Sequence, residues 1–211
     1  MEIVPVFQAK PKNSKRKGIA PVISTIMIIG VLAGITGLAY QWGMPMMQKN
    51  VGTTELYSAE NFLKNLDKKI DDIAKNGGSE EVVFSVPGEL HIDPIEDRID
   101  FSVETSGSIY APGGFICFTR NCDLDEGVWG EDTYSVIGAQ VSQGDDRYAM
   151  TTYSVILRNL SAGSGTYIYS RDIVTPFNVT LVGSEGARML ITKLGEERGN
   201  VTRTIIKIDL I

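Results

Sequence analysis

The chain contains one histidine and only two cysteines among its 211 residues, and this scarcity restricts the chemistry available to it. Two cysteines without histidine ligands make a poor zinc site, and the spacing of Cys117 and Cys122 is not the Cys-x-x-Cys of a redox pair. They suit one local disulfide, which an extracellular location would favour. The histidine, His91, falls in a strand pattern, where we expect a structural or exposed position.

Sequence motifs of common catalytic and phosphate-binding sites are also missing. The chain has no Gly-x-Ser-x-Gly, no His-Glu-x-x-His and no glycine-rich phosphate-binding loop. We therefore predict no catalytic residues, no cofactor and no enzymatic activity.

Positive charge is concentrated at the N-terminal end of an otherwise acidic chain. The formal net charge is −6. Residues 1–18 contribute +4, because five lysines and arginines stand against a single glutamate there, and the remainder carries −10. A nucleic-acid-binding domain needs a basic folded surface, so this balance argues against nucleic acid as a partner.

Residues 19–48 are thirty consecutive positions without a charged side chain. As a helix they would extend about 45 Å at about 1.5 Å per residue, against a hydrocarbon core of about 30 Å. A buried core helix is the alternative, but core helices are usually shorter and keep one polar face. The run therefore predicts a transmembrane segment or an equally dry environment.

The residues that flank this run set its orientation. Lys15, Arg16 and Lys17 adjoin its N-terminal end, so the positive-inside bias keeps residues 1–18 in the cytoplasm and exports the residues after about 50. A secretory signal peptide fits poorly, because the run is too long and no small-residue cleavage pattern follows it. Tyr40 and Trp42 are instead typical of interfacial aromatics at the outer headgroups.

The segment Lys15-Arg16-Lys17-Gly18 and the following Ile19-Ala20-Pro21-Val22-Ile23-Ser24-Thr25, together with the long apolar helix, resemble the start of archaeal type IV pilins and their archaellin-like relatives. The resemblance covers roughly residues 15–50. It implies a class III signal peptide, with a prepilin peptidase cutting on the cytoplasmic side at the junction of Lys17, Gly18 and Ile19, after the glycine. It also implies an assembly ATPase and a platform protein that extract the subunit from the membrane into a homopolymeric surface filament. The start resembles adhesion pilins more than archaellins, and Ile23 stands where bacterial pilins carry a glutamate.

Two features of the run bear on how it would pack. Pro21 would lie in the first turn of a helix that begins at the proposed cut, where its missing N–H costs nothing. Small residues recur at spacings of three and four, which places them on one helical face: Gly30, Ala33, Gly34 and Gly37. Such a face serves helix–helix packing in a filament core or belongs to a glycine-rich anchor without a partner. We expect Pro45 to bend or interrupt the helix.

Apolar residues then recur with helical period over residues 54–75, and Asn76-Gly77-Gly78 supplies a stop signal. We expect this stripe to cover one side of a globular domain.

Six segments after residue 80 have the composition of strands, namely 82–86, 89–92, 98–103, 153–157, 178–182 and 204–208. Residues typical of turns separate them at 93–94, 112–114, 163–165 and 195–199. The predicted fold is α+β, with a long, partly transmembrane N-terminal helical spine followed by an antiparallel β-sandwich-like head. The predicted parts are a leader (1–18), a hydrophobic helix (19–48), an amphipathic extension (49–78) and the extracellular head (79–211).

Two further kinds of site are suggested in the head. Asn159, Asn178 and Asn200 each begin an N-glycosylation triplet, which predicts a glycoprotein or, equally, unmodified loops and strand ends. The acids at Asp123, Asp125 and Asp132 resemble a calcium loop, but Glu126 stands where that loop needs its glycine. We favour a solvated acidic loop.

The function predicted from these features is a structural subunit of an archaeal type IV pilus-like filament for adhesion or surface attachment. Its partners would be copies of itself, the cell membrane before assembly, and the processing and assembly proteins implied by the resemblance. Two alternatives remain open. One is a single-pass, membrane-anchored extracellular binding domain that does not polymerise, and the other is a secreted enzyme with an uncleaved anchor.

Overall fold

The computed structural model describes residues 20–84, 86–143, 148–162, 167–176, 179–183 and 186–211. The leader, the cleavage junction at Lys17, Gly18 and Ile19, the sequon residue Asn178 and the predicted turn at 163–165 lie outside the described residues. The chain divides into two units, Met1–Met46 and Met47–Ile211. The second unit therefore contains both the amphipathic stretch and the strands.

One helix, α1 (Ala20–Asn76), accounts for all the helical residues in the described part of the chain. It runs through Pro45 without interruption, so of the two outcomes expected there only a bend stays a prediction. A proline inside a helix removes one hydrogen bond, which a helix of 57 residues can tolerate. The predicted stop is confirmed, because Gly77 adopts φ 75° and its N–H donates to the carbonyl of Ile73 at 2.8 Å.

Twelve strands follow α1 in the described part of the chain and form two six-stranded sheets. Their bounds are β1 (Ser79–Val83), β2 (Gly88–Asp93), β3 (Arg98–Thr105), β4 (Ile116–Cys117), β5 (Glu126–Val128), β6 (Ser135–Gln143), β7 (Ala149–Leu157), β8 (Asn159–Ala162), β9 (Tyr167–Val174), β10 (Val179–Gly183), β11 (Arg188–Arg198) and β12 (Val201–Leu210). The first sheet has the order β1-β11-β12-β9-β8-β5, and the second has the order β10-β2-β3-β7-β6-β4.

The two sheets differ in strand direction. Every neighbouring pair of the second sheet is antiparallel, as the sequence predicts. The first sheet is mixed, because β12 pairs with β9 and β5 pairs with β8 in parallel. A parallel pair needs a long crossover, and β10 and β11 provide the one between β9 and β12. The α+β arrangement of a long apolar helix followed by sheets therefore holds, with one sheet mixed instead of antiparallel.

The predicted turn at 195–199 is displaced. Strand β11 continues through this stretch to Arg198, and its pairing with β12 shifts register between Lys193 and Gly195. Gly195 is thus the site of a bulge instead of a turn, which is a common place for glycine in a strand. The chain reverses at Gly199 and Asn200.

The C-terminal half of α1 lies in the core of the second unit. The predicted apolar seam is buried, with exposures of 0–4% at Leu56, Ala59, Leu63, Leu66, Ile70 and Ile73. Phe62 on α1 contacts Phe84, which follows β1 of the first sheet, and Phe101 on β3 of the second, with ring centroids 5.1 and 5.2 Å away. The hydroxyl of Tyr153 on β7 donates to the carbonyl of Leu56 at 2.9 Å. Both sheets therefore pack against the same helix.

Candidate functional site

The apolar run of α1 presents its side chains to the surroundings. Among the described residues, α1 is the one helix long and apolar enough to cross a membrane, with a mean hydropathy of 2.3 in an 18-residue window that has no buried residue. Large apolar side chains are exposed all around the helix, for example Ile26 (64%), Met27 (69%) and Leu38 (62%). Burying each such side chain contributes about 1.5–3 kcal/mol. The run is therefore strongly favoured to leave water.

The small residues of this run form an open stripe. Gly30, Gly34 and Gly37 lie within α1, and a β-carbon added at any of them would meet no atom of the described residues within 4 Å apart from its chain neighbours and the adjacent backbone of α1 itself. Ala33 lies on the same face and is exposed. Packing within the single chain therefore gives no reason for glycine at these positions, although glycine weakens a helix by about 1 kcal/mol relative to alanine.

The acidic loop between β4 and β6 is organised by its own hydrogen bonds. One carboxylate oxygen of Asp123 accepts from the N–H groups of Asp125 and Glu126, at 3.0 and 3.2 Å. Asp132 accepts from the N–H of Val128 at 2.8 Å and from the Asn121 amide at 2.9 Å. These bonds lower the pKa of both carboxyls below the usual range for aspartate. Within the described residues, no three His, Cys, Asp or Glu side chains come together as a metal site.

A buried arginine supplies a positive charge to this loop. The guanidinium of Arg158, whose side chain is 1% exposed, donates to the carbonyls of Asp123 at 2.7 Å and Thr133 at 3.0 Å. It also lies 3.8 Å from the Asp132 carboxylate. Carbonyl and carboxylate oxygens are the ligands that calcium prefers. Here these oxygens surround a guanidinium instead, which explains how a loop with a calcium-like sequence holds its shape. No motif in the sequence indicates this role for Arg158.

The remaining predicted sites of the head lie on several different elements. Cys117, the last residue of β4, and Cys122 are joined as a disulfide that closes a short loop. Asn159 is exposed at the start of β8, and Asn200 is exposed in the turn between β11 and β12. His91 is exposed on β2. The structure brings none of these described residues into one catalytic or ligand-binding group.

In comparisons with known proteins, no family model, no curated protein and no solved structure matches this chain.

Proposed function

We propose that this chain is the structural subunit of an archaeal type IV pilus-like surface filament. The observation that carries the proposal is the uncharged run of α1, whose apolar side chains are exposed on every side. Its precursor would lie in the cell membrane, and a prepilin peptidase would cut between Gly18 and Ile19. The basic segment followed by glycine, directly before the apolar run, supports that cleavage by its resemblance to archaeal pilins.

The exposed run needs a non-aqueous covering, and lipid and neighbouring helices can both provide one. Lipid tails cover the helix of a membrane-anchored precursor. In a filament, the same surface packs against the helices of other subunits, so no new apolar surface has to be created on assembly. An ordinary secretory signal would be removed with its apolar segment, whereas this processing retains it.

The small-residue stripe favours helix neighbours over lipid alone. Small side chains let two helix backbones approach closely and increase the van der Waals contact between them. Among the described residues, nothing beyond the adjacent backbone of α1 lies close to Gly30, Gly34 or Gly37, so a second copy of the chain is the partner we propose for the stripe that they form with Ala33.

We further propose that the head is sandwich-like, with its two sheets as layers on either side of the C-terminal half of α1. The shared contacts of Phe62 with Phe84 and Phe101 support this arrangement. Such a head would project outward for adhesion or surface attachment.

The packing proposal is tested by enlarging one small residue on the stripe and one on the opposite face. Gly30→Leu fills the stripe, and Ala39→Leu is the matched control, because nine residues place it about half a turn away around the helix. Each full-length variant is expressed in a host that assembles the wild-type chain, and filaments are counted by electron microscopy. We expect both variants to reach the membrane and Gly30→Leu alone to lose most of its filaments.

Two outcomes would contradict the proposal. If both variants formed as many filaments as the wild type does, the stripe would not pack in a filament. A wild-type chain that stays monomeric in native membranes would favour the anchored binding domain instead.

A further inference from the structure

A concave pocket of about 410 Å³ lies between α1 and the chain segment that joins β5 to β6. This volume falls within the range of small-molecule sites. The pocket belongs wholly to the second unit, and we call it the Trp129 pocket after its most exposed aromatic wall residue. It shares no residue with the apolar run or with the glycine stripe.

The aromatic wall of the Trp129 pocket is fixed in place yet open. The ring of Trp129 stacks on Tyr169 with centroids 4.1 Å apart and meets Tyr134 edge-on at 5.8 Å. Trp129 nevertheless keeps 45% of its surface exposed. An indole held by its neighbours offers a rigid, flat apolar surface with one polar N–H, so a ligand can stack on it at little cost in side-chain entropy.

The segment that carries Trp129 is itself held rigidly. The N–H groups of Glu131 and Asp132 both donate to the carbonyl of Val128, at 3.2 and 2.9 Å, and Gly130 adopts φ 87° within this turn. Arg158 donates to the carbonyl of Thr133 on the same segment. The pocket is therefore preformed, which lowers the entropic cost of binding.

The polar wall of the pocket carries equal numbers of positively and negatively charged side chains. Three carboxylates and three cations line it, namely Asp67, Asp71, Asp132, Lys68, Lys75 and Arg171. Arg171 pairs with Asp71 at 2.7 Å, and its guanidinium lies 3.7 Å above the ring of Tyr134. Lys75 contacts the second oxygen of Asp71 at 2.5 Å. A balanced set of charges gives little attraction to an ion of either sign, so it favours a neutral ligand.

The carboxylates also keep hydrogen-bonding capacity. Burial raises the pKa of the Asp67 carboxyl despite its hydrogen bond with Ser135. Burial also acts on Asp71, but hydrogen bonds from Lys75 and Arg171 outweigh it and lower the pKa of that carboxyl. Each carboxylate has about four acceptor positions, and the partners just named leave some of them for a ligand.

From these observations we infer that the Trp129 pocket binds a neutral saccharide. A sugar ring has an apolar C–H face and a rim of hydroxyl groups. The C–H face would stack on the indole of Trp129, and the hydroxyls would donate to the aspartates and accept from Arg171 and the lysines. The inference goes beyond filament formation and does not depend on it, because every lining residue lies in the second unit.

The test uses the tryptophan itself as a reporter. The chain has two tryptophans, so Trp42→Phe leaves Trp129 as the only one. The full-length variant, in a detergent without a sugar headgroup, is titrated with the methyl glycosides of glucose, galactose, mannose and N-acetylglucosamine. We expect at least one glycoside to change the fluorescence, with a dissociation constant of about 1 mM or tighter.

Calorimetry on matched variants then assigns the site. Trp129→Ala should weaken binding of that glycoside about tenfold or more, and Trp129→Phe should weaken it less, because an aromatic face remains. Tyr57→Ala is the control, since Tyr57 is 53% exposed but does not line the pocket, and it should bind as the wild type does.

Two results would overturn the inference. They are no response to any of the four glycosides, or undiminished binding by Trp129→Ala and Trp129→Phe. Either result excludes a saccharide at Trp129, and a response to choline chloride in the first case would make the pocket a cation site. None of them bears on whether filaments form.

Discussion

Replacement of Asp97 by asparagine should stabilise the protein near neutral pH but not near pH 4. Asp97 lies in the turn between β2 and β3, where it adopts φ 46° and its carboxylate accepts from the N–H of Ile173 at 2.7 Å. Burial raises the pKa of this carboxyl to about 6, against 3.8 for an ordinary aspartate, and Asp172 also raises it. The folded protein therefore holds this proton more tightly than the unfolded chain does.

The sign of the effect follows from this difference in proton binding. Between about pH 4 and pH 6 the carboxyl is ionised in the unfolded chain but still protonated in the folded one, so stability falls as the pH rises. This rise in the pKa of Asp97 corresponds to about 3 kcal/mol of stability, and screening of this half-buried group by solvent lowers that to about 1 kcal/mol. Asparagine tolerates positive φ and keeps an acceptor for Ile173, so Asp97→Asn removes only the charge.

Urea denaturation of the full-length chain in micelles, followed by circular dichroism, measures this difference. We expect Asp97→Asn to raise the midpoint by about 0.5 M at neutral pH and to leave it unchanged near pH 4. Asp93→Asn, at the last residue of β2 directly before this turn, is the control. Hydrogen bonds from the N–H groups of Ile95 and Glu96 lower the pKa of the Asp93 carboxyl, so its replacement should be harmless in acid and destabilising at neutral pH. Equal stability of Asp97→Asn and the wild type from pH 4 to pH 7 would refute the reasoning.

Three further substitutions test the packing of the second unit, each by its urea midpoint. Leu66→Ala removes a fully buried side chain from the core and should cost about 3 kcal/mol, whereas Lys68→Ala on the exposed face should cost almost nothing. Tyr153→Phe loses the hydrogen bond to the carbonyl of Leu56 and should cost about 1 kcal/mol. Arg158→Met should cost about 3 kcal/mol and speed amide exchange at Val128, because it leaves Asp132 and the loop carbonyls without their cation. A cost below 1 kcal/mol for Arg158→Met would show that the loop does not need this charge.

The helical part of the fold could be predicted because its signals are local. The absence of charge over residues 19–48, the period of the seam from Leu56 to Ile73 and the stop at Gly77 are all contained within neighbouring turns of the chain. Whether the helix would be interrupted at Pro45 could not be decided from the local preference of proline, which the rest of the helix outweighs.

The strands were predicted only in part because their pairing depends on distant residues. Strand β6 is not among the strands predicted from the sequence, and Gly138 in its centre explains this. A β-carbon there would lie 2.4 Å from the ring of Phe115 and 2.6 Å from the carbonyl of Ile116, so only glycine fits at this position. Glycine is unfavourable in strands, and its presence makes the sequence of β6 less typical of a strand. The parallel pairing of β9 with β12 likewise has no local signature.

The sites show the same division between local and distant signals. The acidic pattern at Asp123 and Asp125 was visible, but the cation that it surrounds comes from Arg158, far along the chain. The Trp129 pocket was not predicted, because α1 supplies Asp67 and Asp71, β9 supplies Arg171, and only the fold brings them to Trp129. The one local indication of a binding site was Trp129 itself, an isolated tryptophan in an acidic segment that contains glycine.

The identity of the first residue in the surface-assembled subunit tests the central claim most directly. Filaments sheared from cells that express the full-length chain would be purified, and the subunit mass and N-terminal sequence determined. The proposal predicts a chain that begins at Ile19 and retains the whole apolar run. A surface-exposed chain that still carries residues 1–18, or that has lost residues 19–48, would contradict it.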